Sequence, residues 1–213
     1  MKYFIIIALF FVSANGLAQE TRLNVYLNYA FDDSFNSYYS SREYYDGKIK
    51  GSAQWGGGIE FLPAPHTGIE LLYLRMDTHA PTYFRSLNTS VEYVDFDLGI
   101  NYILAGGNQY FRRVGSPLEG FFGLLGGIAI INVKDPSTGS SSNGTKFAWG
   151  ARLGGTYWLS TRAGFRLQAQ LISSPQAIGG GLYFSGYGPQ VGLNTYSSFV
   201  QFSLGGGLVF RLN

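Results

Sequence analysis

The side chains in this chain that could do chemistry are few. His66 and His79 are its two histidines, and neither has a serine two residues on. Histidine is the side chain that titrates near neutrality. His79 lies close in sequence to Asp77 and Ser86, which would supply an orienting acid and a nucleophile if a loop brought all three together. A triad is defined by geometry and not by spacing, so the preferred reading of His79 is a bystander in a loop. Asp95-x-Asp97 and Asp32-Asp33 offer carboxylates to a divalent cation, yet two acids fall short of the oxygen shell such a cation takes. Gly179-Gly180-Gly181 and Gly186-Tyr187-Gly188 read as flexible loop, because no helical pattern follows to cradle a phosphate. Without cysteine there is no thiolate, disulfide or lipid-attachment chemistry. These residues predict no catalytic centre, no metal site and no cofactor.

A second set of charges is placed differently. Glu60, Glu70, Asp95, Asp97, Arg152, Arg166 and Arg211 each sit in a stretch where apolar and polar residues alternate. Period-two alternation puts successive side chains on opposite faces of a β-strand, so strands position these charges. The clearest strand is 22–32, with Leu23, Val25, Leu27, Tyr29 and Phe31 on one face and Arg22, Asn24, Tyr26 and Asn28 on the other. Seven more follow, at roughly 51–62, 68–77, 91–104, 119–133, 146–159, 164–173 and 198–212. In the fourth, Phe96, Leu98, Ile100, Tyr102 and Leu104 are taken as the outer face, with Asp95, Asp97 and Asn101 turned inward. In the fifth, Phe122, Leu124, Ile128 and Ile130 are the outer set, with Gly123, Gly127 and Ala129 inward.

The chain has 213 residues, 30 of them glycine, with 17% aromatic and 13% charged residues and a net charge of +2. That glycine load opposes helices, where each interior glycine costs about 1 kcal/mol relative to alanine, and suits curved strands. The small net charge excludes a field that would draw nucleic acid.

Residues 1–18 read as a cleaved signal peptide. Lys2 gives the basic start, Tyr3 to Val12 the apolar stretch, and Gly16 and Ala18 the small residues before the cut. A membrane anchor would need about 20 apolar residues, and Ser13 to Gly16 interrupt the run. Residues 19–213 then form one exported domain built almost wholly of alternating strands. A soluble sandwich would turn the apolar faces inward. A closed barrel turns them to lipid, with strands of the length a bilayer requires.

The connectors favour the barrel. Long polar or Gly/Ser-rich segments, Asp33–Lys50, Thr78–Ser90, Lys134–Thr145 and Ser174–Ser197, follow the odd-numbered strands. Pro63–Thr67, Ala105–Leu118 and Ser160–Ala163 follow the even ones, the middle of the three being long for a turn. Short periplasmic turns and long extracellular loops are the barrel pattern. The expected fold is therefore all-β: an eight-stranded antiparallel up-and-down transmembrane β-barrel, with both ends of the chain on the periplasmic side.

With those strands and connectors, the chain resembles the small eight-stranded outer-membrane barrels of the OmpA/OmpX type. The resemblance covers essentially all of 19–213 and rests on architecture, not on an active-site motif. It implies a place in the outer membrane, membrane lipids as surroundings and the barrel-assembly machinery as a partner during biogenesis. Phe202, Leu204, Leu208 and Phe210 match the alternating part of the terminal strand such proteins carry, and the chain then runs on through Arg211-Leu212-Asn213.

Within that frame, Trp55, Phe61, Tyr102, Trp149, Tyr157 and Phe210 are expected in the two interfacial aromatic belts. Glu60, Glu70, Asp95, Asp97, Arg152, Arg166 and Arg211 are expected in the lumen. An eight-stranded barrel is just wide enough for side chains to fill it, and buried charges must be paired, so these seven are read as a salt-bridge plug. The alternative is a gate or ion path. Tyr38, Tyr39, Tyr44, Tyr45, Tyr183 and Tyr187 lie in two long loops rich in Ser and Gly, a composition suited to adaptable recognition of an extracellular ligand the sequence does not name. The expected function is a non-enzymatic outer-membrane barrel contributing to envelope integrity and surface contact. A narrow passive channel for small or hydrophobic solutes, with room made by the inward glycines, is the alternative. A lipid-modifying enzyme is the least supported.

Overall fold

The computed structural model describes residues 20–40, 43–85, 92–174, 181–185, 188–192 and 199–212. The expected signal peptide and Ser86 lie outside the described residues, as does Tyr187. The described chain is strand and turn, with no helix among the described residues. The strands are β1 (Glu20–Ala30), β2 (Asp33–Ser40), β3 (Glu43–Ile49), β4 (Ser52–Ala64), β5 (Thr67–Arg85), β6 (Glu92–Arg112), β7 (Leu118–Lys134), β8 (Ser141–Trp158), β9 (Ala163–Ser174), β10 (Gly181–Ser185), β11 (Gly188–Gly192) and β12 (Phe199–Arg211).

Eight of these form the barrel. In the order β1, β4, β5, β6, β7, β8, β9, β12, each pairs antiparallel with the next. β12 pairs back onto β1, with Arg22 opposite Arg211 and Ala30 opposite Ser203. The ring therefore has no edge, which is what a sheet needs when no water can satisfy an open one. The remaining strands are hairpins within the first and last long connectors. β2 pairs with β3, which also pairs with the upper part of β5, and β10 pairs with β11.

Several connectors are shorter than the alternation alone suggests, because the strands run on past their apolar stretches. β5 continues to Arg85 and β6 to Arg112. The connector 105–118, long for a turn by sequence, shrinks to 113–117, with Gly115 in the left-handed region at φ 78°. Residues 135–140 make a tight turn between β7 and β8. There Asp135 accepts hydrogen bonds from the Ser137 amide (2.8 Å) and the Thr138 hydroxyl (2.9 Å), and Gly139 takes φ 71°, a conformation glycine adopts without steric cost.

The outer wall carries the apolar faces of seven strands as the alternation predicts. Leu27, Leu71, Leu124, Leu153, Leu167 and Leu204 all project outward and are exposed in the isolated chain. In a water-soluble protein such a continuous apolar band would be covered; around a closed barrel it is the lipid-facing surface.

β6 is the exception, and here the sequence reading is corrected. Phe96, Ile100, Tyr102 and Leu104 are fully buried in the lumen, and Leu98 is nearly so. Asp95, Asp97, Asn101 and Ile103 are on the outer side, where Asp97 is opposite Lys134 and Ile103 opposite Ile128. Alternation says which residues share a face, not which face looks out. Here the inward apolar set completes an internal cluster with Leu72, Leu74, Met76, Leu125, Ala129 and Ile131. Beyond the inward Glu70, Asn108 and Glu119 near its turn end, the lumen wall is thus largely apolar along β5–β7, and it is polar along β1, β8, β9 and β12. Tyr102 is accordingly not a belt residue. Trp55, Trp149 and Tyr157 project outward and are exposed, and Phe61 and Phe210 are outward and half-buried.

Candidate functional site

Inward-facing positions of opposite strands meet across the lumen in three tiers. At the turn end, which faces the periplasm in barrels of this kind, Arg22 of β1 reaches Glu119 of β7 through two bonds of 2.6 and 3.2 Å. Arg22 also donates to Glu20 at 2.5 Å, Arg211 donates to Glu20 at 2.9 Å, and Arg112 pairs with Glu119. The arginines alternate with aromatic rings across this mouth. Arg211 lies 3.6 Å from the Trp158 ring centre, and Arg22 lies 5.0 Å from Trp158 and 4.7 Å from Tyr110. Guanidinium planes stack well on such rings.

The second tier holds four wholly buried charges. Arg152 of β8 pairs with Glu70 of β5, and Arg166 of β9 lies 3.8 Å from Glu60 of β4. Their remaining hydrogen-bonding capacity is met by neutral neighbours. Tyr26 donates to Glu70 at 2.7 Å and Asn24 donates to Glu70 at 2.8 Å. Asn108 donates to Glu60 at 2.6 Å and accepts from Arg152 at 3.0 Å. The Tyr110 hydroxyl bonds Glu60, and Arg166 donates to the hydroxyls of Tyr26 (3.1 Å) and Tyr110 (3.2 Å). A buried ion pair is tolerable when its spare donors and acceptors are satisfied in this way.

Glycine makes the space. A Cβ on Gly68 would collide with the Glu60 carboxylate, and one on Gly123 would collide with the Asn108 side chain. At Gly123, then, the room expected to open a channel is occupied by the network itself.

The third tier is neutral. Tyr102 of β6 donates to Gln201 of β12, directly across the ring, at 2.6 Å. Gln168 donates to Asn28 and Gln170 to Gln54, each at 3.2 Å. Buried Gln168 Oε1, Gln170 Oε1 and Asn28 Nδ2 have no hydrogen-bond partner among the described residues.

Of the charges singled out by sequence, Glu60, Glu70, Arg152 and Arg166 come together in the second tier, and Arg211 joins the rim. Asp95 and Asp97 do not join them. They follow the face correction of β6 onto the outer wall, where Asp97 pairs with His79 at 3.0 Å and both are well exposed. Asp77 pairs with Arg75 and not with His79, so the described members of the sequence-level triad are not assembled. Asp32 pairs with Lys48 at 2.5 Å, and Asp33 accepts the Val200 amide at 2.8 Å. No cluster of three or more metal-ligating side chains occurs among the described residues. Tyr38, Tyr39, Tyr44, Tyr45 and Tyr183 are in the β2–β3 and β10–β11 hairpins, and their side chains lie outside the described residues.

Sequence reasoning passed over Arg22, Glu119, Asn24, Tyr26, Asn108 and Tyr110. The parity of Arg22, Asn24 and Tyr26 on the first strand already put them inward. Glu119 shares the parity of Gly123, so counting back two residues at a time along the fifth strand reaches it.

No family model matches the sequence, and no curated protein does. Among solved structures the chain is similar to Neisserial surface protein A, with 15% identity and a TM-score of 0.53 over 89% of this chain and 96% of that one. It is also similar to the outer membrane protein OprG of Pseudomonas aeruginosa, with 11% identity and a TM-score of 0.61 over 92% and 97%. The outer membrane protease OmpT of Escherichia coli matches with 7% identity and a TM-score of 0.52 over 92% and 97%. At these identities the likeness is one of fold. A closed eight-stranded ring with an apolar outer wall and a filled lumen is the fold of a small outer-membrane β-barrel, and that is the fold of this chain.

Proposed function

We propose that the protein is a non-enzymatic barrel whose lumen is closed by its own side chains and whose role is structural, in envelope integrity and surface contact. The observation that carries this reading is the second tier. Glu70, Glu60, Arg152 and Arg166 come from four different strands and leave no charge uncompensated. Outer-membrane lipids are its surroundings and the barrel-assembly machinery its partner during biogenesis. The tyrosine-bearing hairpins β2–β3 and β10–β11 are the surface offered to an extracellular ligand.

A second reading, a narrow channel for small or hydrophobic solutes, draws on the third tier. Its buried amide atoms Gln168 Oε1, Gln170 Oε1 and Asn28 Nδ2 have hydrogen-bonding capacity that a water or a small amphiphile would satisfy. Single-channel recording of the refolded protein separates the two. A closed lumen gives little conductance in the wild type and more in Arg152→Ala. Steady conductance in the wild type, with stable single variants, would replace the closed barrel with the channel.

A further inference from the structure

Cations are not distributed alike at the two ends of the barrel. The cations of the turn end, Arg22, Arg112, Arg113, Arg162 and Arg211, are all arginine. The described lysines, Lys48, Lys50, Lys134 and Lys146, all lie in the opposite half. The acids of the rim are Glu20 and Glu119, and both are already engaged by Arg22, Arg112 and Arg211. The rim therefore carries a surplus of positive charge, and Arg113 and Arg162 project it outward from the exposed turns.

These arginines have exposed apolar neighbours. Phe111 adjoins Arg112, Val114 (102% exposed) adjoins Arg113, and Leu212 adjoins Arg211. Leu159, also exposed, is in the turn with Arg162. The outward Tyr157 and Phe210 lie immediately on the membrane side. An apolar neighbour that enters the acyl region while the guanidinium stays at headgroup level is the arrangement of an interfacial anchor. Guanidinium also matches the two oxygens of a phosphodiester, where ammonium supplies only a point charge.

We propose that this arginine collar binds the headgroups of anionic phospholipids in the leaflet at the turn end. Arg113 and Arg162 make the outward contacts, while Arg112 and Arg211 contribute field from the rim. The proposal rests on the barrel being embedded in a membrane and is independent of whether the lumen conducts.

The test is native mass spectrometry of the detergent-solubilised barrel titrated with phosphatidylglycerol or with phosphatidylcholine of the same acyl chains. The wild type should retain the anionic lipid preferentially. Arg113→Gln and Arg162→Gln should each lower that preference about fivefold, the ratio equivalent to about 1 kcal/mol per surface cation. Lys48→Gln with Lys134→Gln, at the other end, should leave it unchanged. The shift in gel mobility on heating establishes that each variant is folded, and the single arginine variants carry the test if the variant combining Arg113→Gln with Arg162→Gln does not fold. Equal retention of the two lipids by the wild type would overturn the proposal. So would a preference that survives loss of both arginines, or one abolished by the lysine variants.

Discussion

Arg22 meets Glu119 from the strand directly across the barrel, four places away around the ring in either direction, at 2.6 and 3.2 Å. Both side chains are buried, so the pair ties two opposite walls together at the turn-end mouth. Arg22→Met should destabilise the folded barrel by about 3–5 kcal/mol, because Glu119 keeps only its contact with Arg112 and is left buried. Pairing it with Glu119→Gln should restore part of the loss. Unfolding by denaturant in lipid vesicles, followed by tryptophan fluorescence, measures both.

The second tier gives a parallel expectation at different residues. Arg152→Met strands Glu70 and should cost a similar amount, and Glu70→Gln should be milder in the double variant than alone. Coupling of at least about 1 kcal/mol in that cycle is expected of residues in one network. Additive effects would mean that the two charges are separately solvated.

The lipid face should reject charge with a depth dependence. Leu27→Arg and Leu167→Arg, both on the outer wall, should cost about 2–4 kcal/mol near the bilayer midplane. Arg at Asn28 or Gln168, on the polar side of the lumen, should cost less because carbonyl partners are at hand. Equal costs would mean that the outer and inner faces have been exchanged.

The β7–β8 turn should respond to acid. Burial pushes the Asp135 carboxyl up, but hydrogen bonds from Ser137 and Thr138 more than offset that and hold it below the usual aspartate value. A carboxyl lowered on folding stabilises the turn above its unfolded pKa, and that contribution is lost as pH falls through the folded value. The protection of the Ser137 and Thr138 amides relative to their intrinsic exchange rates should therefore fall in strong acid and be unchanged near neutrality. Asp135→Ala should lack that protection at every pH.

Most of the architecture was legible because a barrel strand states its own pattern. Leu23 to Phe31 on one side and Arg22 to Asn28 on the other needed no tertiary information. β6 was not legible for the same reason turned around. Its apolar residues Phe96 to Leu104 alternate as cleanly as a lipid face, and only the pairing with β5 and β7 reveals that they fill the lumen. Leu72 and Leu74 of β5 belong to the same internal cluster. The pairing of charges was legible in kind but not in partners, since Arg152–Glu70 joins residues 82 positions apart. Glu119 went unnoticed because it stands at the very start of a strand dominated by glycine and aliphatic residues.

The closure of β12 onto β1 places Arg22 opposite Arg211, at nearly the two ends of the described chain. Such a contact is the most non-local a chain can make, and non-local pairings form slowly. Until it forms, the sheet is open along one side and its concave face is wet. The Arg22–Glu119 and Arg166–Glu60 contacts lie across that opening, so their charges stay hydrated through the earlier stages. Dehydration of the network is thereby deferred to the closing event, where the strand pairing and the ion pairs are gained together. The height of the folding barrier should be set at that seam.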